Sequence, residues 1–398
     1  MDFIWNLDSV IWILDVGMRN SVKKVMIVAG ETSGDLHGSQ LVNALLKIDP
    51  NLYFYGIGGQ KMKEEGVKTF FDASELAVVG ISEVLKHFKI ILAAFQKLKR
   101  LITEEPPDLL ILIDYPDFNL RLARTARKKG VPILYYISPQ VWAWRMKRVK
   151  KIAQLVNKMA VVFPFEVPIY QREKVDVDFV GHPLLDVVKV ELSQKEALER
   201  FGLEQTKVTI GLLPGSRRGE VRRILPPMLN AAKILKEKLN NVQFILPIAS
   251  GLCEEEVHEM VKKSGLEVKT VNGEIYEVIN TCFLVIVASG TATLETAILS
   301  KPMIIIYKIS LLTYLIGRML IAVKNIGMVN IVAGKEICPE LIQGAATPQR
   351  IANEVIKIVR NPGVYQQMQE ELKGIKGKLG QPGASLRVAR IAYHMMVH

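Results

Sequence analysis

Ten short, nearly continuous apolar runs recur along the chain, and helical patterns separate them. Buried parallel strands read in this way, because the helices that connect them cover both faces of the sheet. The pattern predicts an α/β fold with doubly wound parallel sheets. The runs are residues 25–30, 52–59, 109–114, 132–138, 158–163, 208–216, 242–250, 266–271, 283–290 and 302–308.

The runs fall into two series, which predicts two Rossmann-like domains facing a central cleft. A chain of 398 residues is too long for one ordinary core, and a polar, turn-containing stretch precedes residue 208. The last helical pattern has no strand beside it in sequence, so we expect it to cross back to the first domain. We predict an N-terminal extension at 1–22, a first domain at 23–187 plus 364–398, and a second domain at 188–363.

The net charge narrows the choice of partners. Lys and Arg outnumber Asp and Glu by 52 to 40, and the resulting charge of +12 favours phosphates, nucleotides, acidic lipids or nucleic acid. The three cysteines lie far apart, which argues against a disulfide framework and a structural zinc site. A reducing, cytoplasmic compartment is therefore expected.

We predict no membrane-spanning segment and no signal peptide. The longest apolar stretch, residues 303–323, is interrupted by Lys308 and Arg318. The first twenty residues lack a basic start and a cleavage site. Translation from Met18 remains an alternative to a genuine N-terminal extension, because a strand begins soon after that residue.

Two loops of the first series carry candidate catalytic and binding residues. Ligands of open parallel sheets bind beyond the carboxyl ends of the strands, where helix N-termini point at them. The loop AGETSGD offers Glu31 and Ser33 to a ligand, although Ser33 would equally serve as a helix N-cap. The loop DYPDFN places Asp114 and Asp117 at a strand end. Either carboxylate suits a general base, and Asp117 suits a helix cap equally well.

Bulky apolar residues and cations occur together in two further segments. Trp142 suits packing on a sugar or acyl chain, or core filling, and the basic helix that starts near Arg145 suits acidic lipid, phosphate or plain solvent. Residues 84–101 place Phe88 and Phe95 among five cations. Such a segment suits coverage of the sheet, and it equally suits an apolar, basic-rimmed site for an acylated anion.

Two loops of the second series are typical of phosphate-binding turns. In the loop that contains Gly215, backbone N–H groups precede Arg217, whose guanidinium can reach a diphosphate. A plain charged loop is the alternative. In the loop that contains Gly290, small residues begin a helix whose N-terminus attracts phosphate. Glu295, one turn later, can hold ribose hydroxyls. Together they would stabilise a departing nucleoside diphosphate without a metal. The residues are Gly215, Ser216, Arg217, Gly290, Thr291 and Glu295.

One literal metal motif is better explained by strand geometry. Asp176 and Asp178 spell D-x-D, but alternation places them on one face and the neighbouring valines on the other, as in a half-buried strand. We therefore predict no metal site there. His182 begins the next turn, where a contact to substrate and a structural role are both open.

Nine motifs, in order and covering nearly all of the chain from about Val25, resemble the lipid-A-disaccharide synthase family. Tyr115 stands where a smaller residue is common, which puts little in doubt beyond the local fit of the acceptor. The motifs are AGETSGD, GIGG, IDYPDFN, SPQVWAWR, FPFE, GHPLLD, LPGSRRGE, ASGTATLE and GMVNIVAGKEICPELIQ.

The resemblance implies a GT-B fold and an inverting transfer that needs neither cofactor nor metal. The donor would be UDP-2,3-diacylglucosamine and the acceptor 2,3-diacylglucosamine 1-phosphate. The products would be UDP and a β-1,6-linked disaccharide 1-phosphate. The enzyme would act in the cytoplasm, peripherally at the inner membrane, without nucleic acid. A homodimer through the second domain would involve the apolar stretch at 311–323.

The resemblance also assigns roles to residues. It places UDP in the second domain, at the residues named above together with Asn330, and the acceptor in the first domain. It places the base in IDYPDFN, and we prefer Asp117 over Asp114 because Asp117 follows the strand end. Two rival functions remain: an enzyme like UDP-N-acetylglucosamine epimerase, and a non-catalytic protein that binds nucleotides or lipid phosphates.

Overall fold

Two parallel sheets form the framework of the protein, seen in a computed structural model that describes residues 22–73, 81–140, 147–309 and 325–397. The strands of the first sheet are Lys24–Ala29 (β1), Tyr53–Gly58 (β2), Lys68–Asp72 (β3), Leu109–Ile113 (β4), Ile133–Tyr136 (β5), Lys158–Val161 (β6) and Asp176–Phe179 (β7). Those of the second are Val208–Leu213 (β8), Val242–Ile248 (β9), Lys269–Asn272 (β10), Leu284–Ala288 (β11), Met303–Tyr307 (β12) and Glu340–Ile342 (β13).

Helices connect the strands and cover the sheets. In the first half of the chain they are Thr32–Leu46 (α1), Gln60–Glu64 (α2), Ile81–Glu104 (α3), Pro116–Lys128 (α4), Lys147–Ala153 (α5), Val167–Gln171 (α6), Leu184–Val187 (α7) and Gln194–Arg200 (α8). In the second half they are Arg218–Lys238 (α9), Glu254–Ser264 (α10), Ile275–Thr281 (α11), Thr291–Ile298 (α12), Met328–Ala333 (α13), Pro348–Arg360 (α14), Pro362–Lys378 (α15) and Ala384–Val397 (α16).

Strand β1 illustrates why the runs are apolar throughout. It pairs in parallel with both β2 and β4, at the centre of its sheet. Val25, Ile27 and Ala29 join one buried cluster, whereas Met26 and Val28 join a second cluster on the opposite face. A strand covered on both faces leaves no position for a polar side chain.

The ten predicted strands are confirmed, since each apolar run contains a strand of the sheets. Two strands, β3 and β13, were not predicted. Both lie at the edge of a sheet. The side chains of β3 are exposed or half-buried, and β13 has only three residues, so neither forms an apolar run.

The alternating pattern around β7 is also confirmed. Val175 and Val177 are buried, whereas Asp176 and Asp178 point to the other face. The ammonium of Lys158 on β6 lies 2.6 Å from the carboxylate of Asp176 and 2.9 Å from that of Asp178. The D-x-D sequence is thus the polar face of an edge strand, neutralised by a lysine of the adjacent strand.

The order of strands reverses direction once in each sheet. The first sheet has the order β3-β2-β1-β4-β5-β6-β7 and the second β10-β9-β8-β11-β12-β13. The chain therefore departs to opposite sides from β1 and β4, and likewise from β8 and β11. A crevice forms beyond the carboxyl ends of such strand pairs, which is where open α/β sheets bind ligands.

The last two helices pack on different sheets. Helix α15 contacts α12, α13 and α14 of the second sheet, whereas α16 packs along α1 beside the first. The predicted return of the final helix is therefore confirmed. These contacts favour a crossing at residues 379–383 rather than at residue 364, and the division of the chain into domains stays a prediction.

Hydrogen bonds fix this crossing to the segment that leaves the first sheet. Arg387 of α16 donates from Nε to the carbonyl of Val180 at 2.8 Å and from Nη1 and Nη2 to two carbonyls of the crossing itself. The carboxylate of Asp186 accepts the backbone N–H groups of Gly383 at 2.6 Å and Ala384 at 3.2 Å. The first turn of α16 is thereby capped from a distant part of the chain.

Several sequence predictions lie outside the described residues. They concern the N-terminal extension with Met18, the packing of Trp142 and Arg145, and the dimer contact at 311–323. Across the ranges that the structure does cover, the helices all fall short of the length and apolar character needed to cross a bilayer.

We predict that Arg387→Met lowers the free energy of unfolding by about 1–3 kcal/mol, because the carbonyl of Val180 loses its charged donor. Calorimetry should show a lower thermal midpoint. The matched control is Arg390→Met, which removes the same charge from an exposed position of the same helix. Equal midpoints for the two variants would contradict a role of Arg387 in holding the crossing.

Candidate active site

The four loops singled out from the sequence follow β1, β4, β8 and β11, the strands where the order reverses. An ion pair shows that the loops of the two sheets face each other. Nη2 of Arg217, after β8, lies 3.6 Å from Oε2 of Glu31, after β1. The loops after β1 and β8 therefore meet across one crevice between the sheets.

The backbone at the end of β4 is strained. Asp114 and Tyr115 have φ values of 45° and 46°, a left-handed conformation that L-residues rarely adopt. Asn119 donates from Nδ2 to the carbonyls of Ile113 at 3.2 Å and Asp114 at 2.7 Å. The hydroxyl of Tyr135 donates to the carbonyl of Asp114 at 2.5 Å. Such strain persists only where the surroundings enforce it, and it is concentrated at functional sites.

A glycine and two phenylalanines surround Tyr115. The ring of Tyr115 occupies the space that a side chain at Gly30 would need, so only glycine allows the loops after β1 and β4 to approach this closely. The same ring stacks on Phe118, with centroids 5.4 Å apart, and Phe118 meets Phe95 of α3 edge-on at 5.8 Å. Phe95, predicted to bind an acyl chain, is thus connected to the loop that carries Asp114.

The carboxyl group of Asp114 is adapted to proton transfer near neutral pH. Burial, together with the negative charge of Glu31, raises its pKa to about 7, and a backbone hydrogen bond from Tyr115 opposes the shift. A general base is most effective when its pKa lies near the working pH.

Asp117 has a different environment. Its side chain is 71% exposed, at the start of α4, and Nη2 of Arg148 lies 2.6 Å from its Oδ1. Asp117 is thus a surface carboxylate held in an ion pair, whereas Asp114 is half-buried. The geometry therefore favours Asp114 over Asp117, the residue preferred from the sequence.

The loop after β8 is organised by Glu220. Burial raises the pKa of Glu220, and the charge of Arg217 and backbone hydrogen bonds from Ser216 and Arg217 oppose that shift. Gly215 has φ +109°, and a side chain there would meet the Glu220 carboxylate. Because Glu220 accepts the loop's backbone N–H groups, the guanidinium of Arg217 is the group best placed to meet an anion.

The loop after β11 leaves an open helix start. Space surrounds Gly290, and Thr291 is exposed at the first position of α12. Glu295, one turn in, is half-buried and accepts a hydrogen bond from the hydroxyl of Tyr276 at 3.2 Å. Burial raises the pKa of Glu295, and this hydrogen bond opposes the shift. Tyr276 thus fixes the carboxylate that was predicted to hold ribose hydroxyls.

Asn330 is buried and bonded entirely within the protein. Its Nδ2 donates to the carbonyl of Cys338 and to Glu340, each at 2.8 Å. Its Oδ1 accepts the backbone N–H groups of Ile337 at 2.8 Å and Cys338 at 3.0 Å. The amide of Asn330 is therefore fully engaged within the protein, and its contact with UDP stays a prediction.

The environment of His182 favours its structural interpretation. The ring is buried, packs on Phe163 at 5.1 Å, and accepts the backbone N–H of Leu184 at 3.2 Å through Nδ1. Burial, and then the nearby His37, lower the pKa of His182 to about 3. The imidazole is therefore neutral at physiological pH.

Of the remaining predicted residues, Ser33 is exposed in the first turn of α1. The backbone of Phe88 lies within α3. The side chain of Phe88, and the whole of Trp142 and Arg145, lie outside the part of the chain that the structure describes. No grouping of three or more His, Cys, Asp or Glu suited to a metal ion occurs in the part of the chain that the structure describes.

Three supporting residues were missed from the sequence. Asn119 and Tyr135 hold the bend at Asp114, and Asp35 accepts the backbone N–H groups of Gly59 at 2.7 Å and Lys61 and Met62 at 3.1 Å. The only signal was that Asn119 and Asp35 lie within the motifs. Tyr135 reads as one more apolar residue of a strand.

The sequence is similar to known proteins over nearly its whole length. A family model described as lipid-A-disaccharide synthetase matches residues 25–385. The chain is 53% identical over 374 residues to a lipid-A-disaccharide synthase of Geobacter metallireducens, covering 94% of this chain and 97% of that protein. It is also 53% identical over 371 residues to one of Syntrophus aciditrophicus, covering 93% and 97%.

Solved structures resemble the fold at much lower identity. The MnaA–UDP co-structure from S. aureus has a TM-score of 0.64 at 15% identity and covers 94% of this chain and 98% of that chain. A UDP-GlcNAc 2-epimerase from Neisseria meningitidis, bound to UDP-GlcNAc, has a TM-score of 0.63 at 13% identity and covers 93% and 100%. These likenesses and the two parallel sheets identify the fold as GT-B.

We predict that Asp114→Asn stabilises the protein above neutral pH. Below about pH 4 both folded and unfolded Asp114 are protonated. Between pH 4 and 7 the unfolded state loses this proton first, so wild-type stability falls as pH rises. The variant avoids that loss, a difference of about 1–3 kcal/mol above pH 7.

Thermal midpoints of the wild type and the variant, measured by calorimetry from pH 4 to 8, test this expectation. Asp117→Asn is the control, because it removes an exposed carboxylate from the same loop. If the midpoints of wild type and Asp114→Asn ran parallel over the whole range, the raised pKa of Asp114 would be refuted.

Proposed function

Because this chain belongs to the lipid-A-disaccharide synthase family, we propose that it transfers 2,3-diacylglucosamine from UDP-2,3-diacylglucosamine to 2,3-diacylglucosamine 1-phosphate. The chain is a GT-B glycosyltransferase of lipid A synthesis. The proposed products are UDP and the β-1,6-linked disaccharide 1-phosphate. The observation that carries the mechanism is the half-buried Asp114 at a strained bend, next to the loop whose Glu31 pairs with Arg217 across the crevice.

Asp114 is the proposed general base. Its carboxylate accepts the proton of the acceptor's 6′ hydroxyl while that oxygen attacks the anomeric carbon of the donor. The bond from this carbon to the diphosphate oxygen breaks, and UDP leaves with the electron pair. Attack opposite the leaving group inverts the configuration. The pKa of about 7 for Asp114 lets it take a proton and release it again at neutral pH.

The loops of the second sheet are proposed to hold the donor. Arg217 meets the diphosphate with two N–H groups, and the open start of α12 at Gly290 and Thr291 adds backbone donors. Gly215 and Ser216 shape the loop that carries Arg217. Glu295, oriented by Tyr276, accepts ribose hydroxyls. Stabilising the charge that develops on UDP lowers the barrier without a metal ion.

The loops of the first sheet, together with the surfaces of α3 and α5, are proposed to hold the acceptor. Ser33 lies at the start of α1, and Phe95 joins the aromatic row that ends at Tyr115. The cations of α3 and α5 suit the acceptor phosphate and an acidic membrane surface. On this proposal the enzyme works in the cytoplasm, bound peripherally to the inner membrane. It forms a homodimer through the part of the chain that contains the second sheet.

We predict that Asp114→Asn lowers kcat for UDP release by roughly 10²–10⁴-fold, the usual contribution of a general base. Asp117→Asn, which loses an exposed ion pair, should lower it less than about 10-fold. Acceptor-dependent release of UDP from the diacyl donor is the measurement. Retained affinity for UDP shows that each variant is folded. The reverse order of the two losses would assign the base to Asp117.

Chelation provides an independent test of the mechanism. Transfer should be unchanged in EDTA, because Arg217 and the start of α12 perform the role that a metal would have. The control is the same assay with added Mg²⁺. Loss of UDP release in chelator, restored by Mg²⁺, would contradict the proposal. Release of UDP without any acceptor would instead favour an epimerase-like reaction, and binding of UDP without release would favour a binding protein.

A further inference from the structure

Glu31 makes an unusual use of a carboxylate at a helix start. It occupies the N-cap position of α1, yet its side chain accepts no capping hydrogen bond from that helix. Its Oε2 lies instead 3.6 Å from Nη2 of Arg217, on the other side of the crevice. The two side chains are 41% and 59% exposed, so the ion pair is weak and easily exchanged for another partner.

The loop of Glu31 packs against the loop of Asp114, because the ring of Tyr115 fills the space that a side chain at Gly30 would need. The negative charge of Glu31 is the second cause, after burial, of the raised pKa of Asp114, and it acts likewise on the phenol of Tyr115. Asp114 in turn acts on the phenol of Tyr135 on β5, and Asp117 of the same loop acts on that phenol as well. Glu31 is therefore the residue that interacts with both Arg217 and the base.

We propose that Glu31 is a positioning residue that couples binding of a nucleoside diphosphate to the strength of the base. In the absence of donor, Glu31 holds Arg217 over the crevice. When the diphosphate takes Arg217, the carboxylate of Glu31 loses its counter-charge and acts on Asp114 alone. The inference rests on the proposed function, since it uses Arg217 as the diphosphate ligand and Asp114 as the base.

Two physical consequences follow from this arrangement. Glu31 and the diphosphate compete for one guanidinium, so Glu31 weakens nucleotide binding. A like charge that is no longer compensated disfavours ionisation of its neighbour, so Asp114 holds a proton more firmly once donor is bound. Once donor is bound, Asp114 is therefore a stronger base, and a larger fraction of it is protonated at neutral pH.

The first test is the affinity for UDP, measured by calorimetry without any catalysis. Glu31→Gln should tighten UDP binding about 2- to 5-fold, the strength of an exposed ion pair. In an Arg217→Gln background the same change should have no effect, because the competition acts through Arg217. Equal tightening in both backgrounds would show that Glu31 merely repels phosphate, and no tightening would show that it does not compete. Either result overturns the proposal.

The second test is the pH profile of kcat. The acid limb reports ionisation of the base in the substrate complex, and Glu31→Gln should move it to lower pH by roughly 0.5–1 unit. A residue with a purely structural role would lower kcat without moving this limb. An unmoved limb in an active variant would therefore refute the coupling.

A matched control separates charge at this position from charge in general. Glu105→Gln removes a carboxylate that pairs with Lys24 at 3.1 Å, at the start of β1 and thus at the opposite edge of the same sheet. It should leave both the affinity and the pH profile unchanged. Wild-type protein that binds UDP but transfers no sugar would refute the proposed function, while the affinity measurements would still decide the competition.

Discussion

The reversal of strand order at β1/β4 and β8/β11 is the constraint on which the site depends. All strands of each sheet are parallel, so their carboxyl ends lie at one edge, and neighbouring connections diverge only at these two positions. Short loops follow all four strands, and each carries residues that a packed core would exclude. The ion pair between Glu31 and Arg217 shows that the two edges face each other. The candidate residues of these loops therefore lie at facing edges, and the rest of each sheet holds those edges in place.

The bend at Asp114 and Tyr115 is held by hydrogen bonds from the side chains of Asn119 and Tyr135. Left-handed backbone at two successive residues costs on the order of 1–3 kcal/mol each. Asn119 and Tyr135 offset this cost with hydrogen bonds to the carbonyls at the bend. The carboxyl group at this strained bend is half-buried, and its burial raises the pKa of Asp114 to about 7. Strain and burial thus coincide at the residue that we propose as the base.

The sequence predicted the sheets well and the site only in outline, for a physical reason. Strands buried on both faces must be apolar, so β1 or β11 is visible in the sequence, whereas the edge strands β3 and β13 are not. Motif residues such as Arg217 follow the carboxyl ends of parallel strands, and these ends all lie at the same edge of a sheet. The topology therefore predicts which edge carries them. The choice between Asp114 and Asp117 could not be made, since it depends on backbone dihedrals and on burial. Tyr135 was invisible, because a strand tyrosine whose hydroxyl reaches a distant carbonyl reads as an ordinary core residue.

The exposure of the ion pair between Glu31 and Arg217 suits a site in which substrate replaces one of the two partners. A buried ion pair would resist separation, because each charge would be left without a partner in a low dielectric. An exposed pair at 3.6 Å separates at little cost, yet it still keeps the arginine near the position where a diphosphate arrives. A diphosphate carries more charge than one carboxylate and binds the guanidinium in a bidentate manner, so it displaces Glu31. Arg217 then exchanges its ion pair with Glu31 for one with the diphosphate. The electrostatic field at Asp114 changes in the same step, because the charge of Glu31 is no longer compensated.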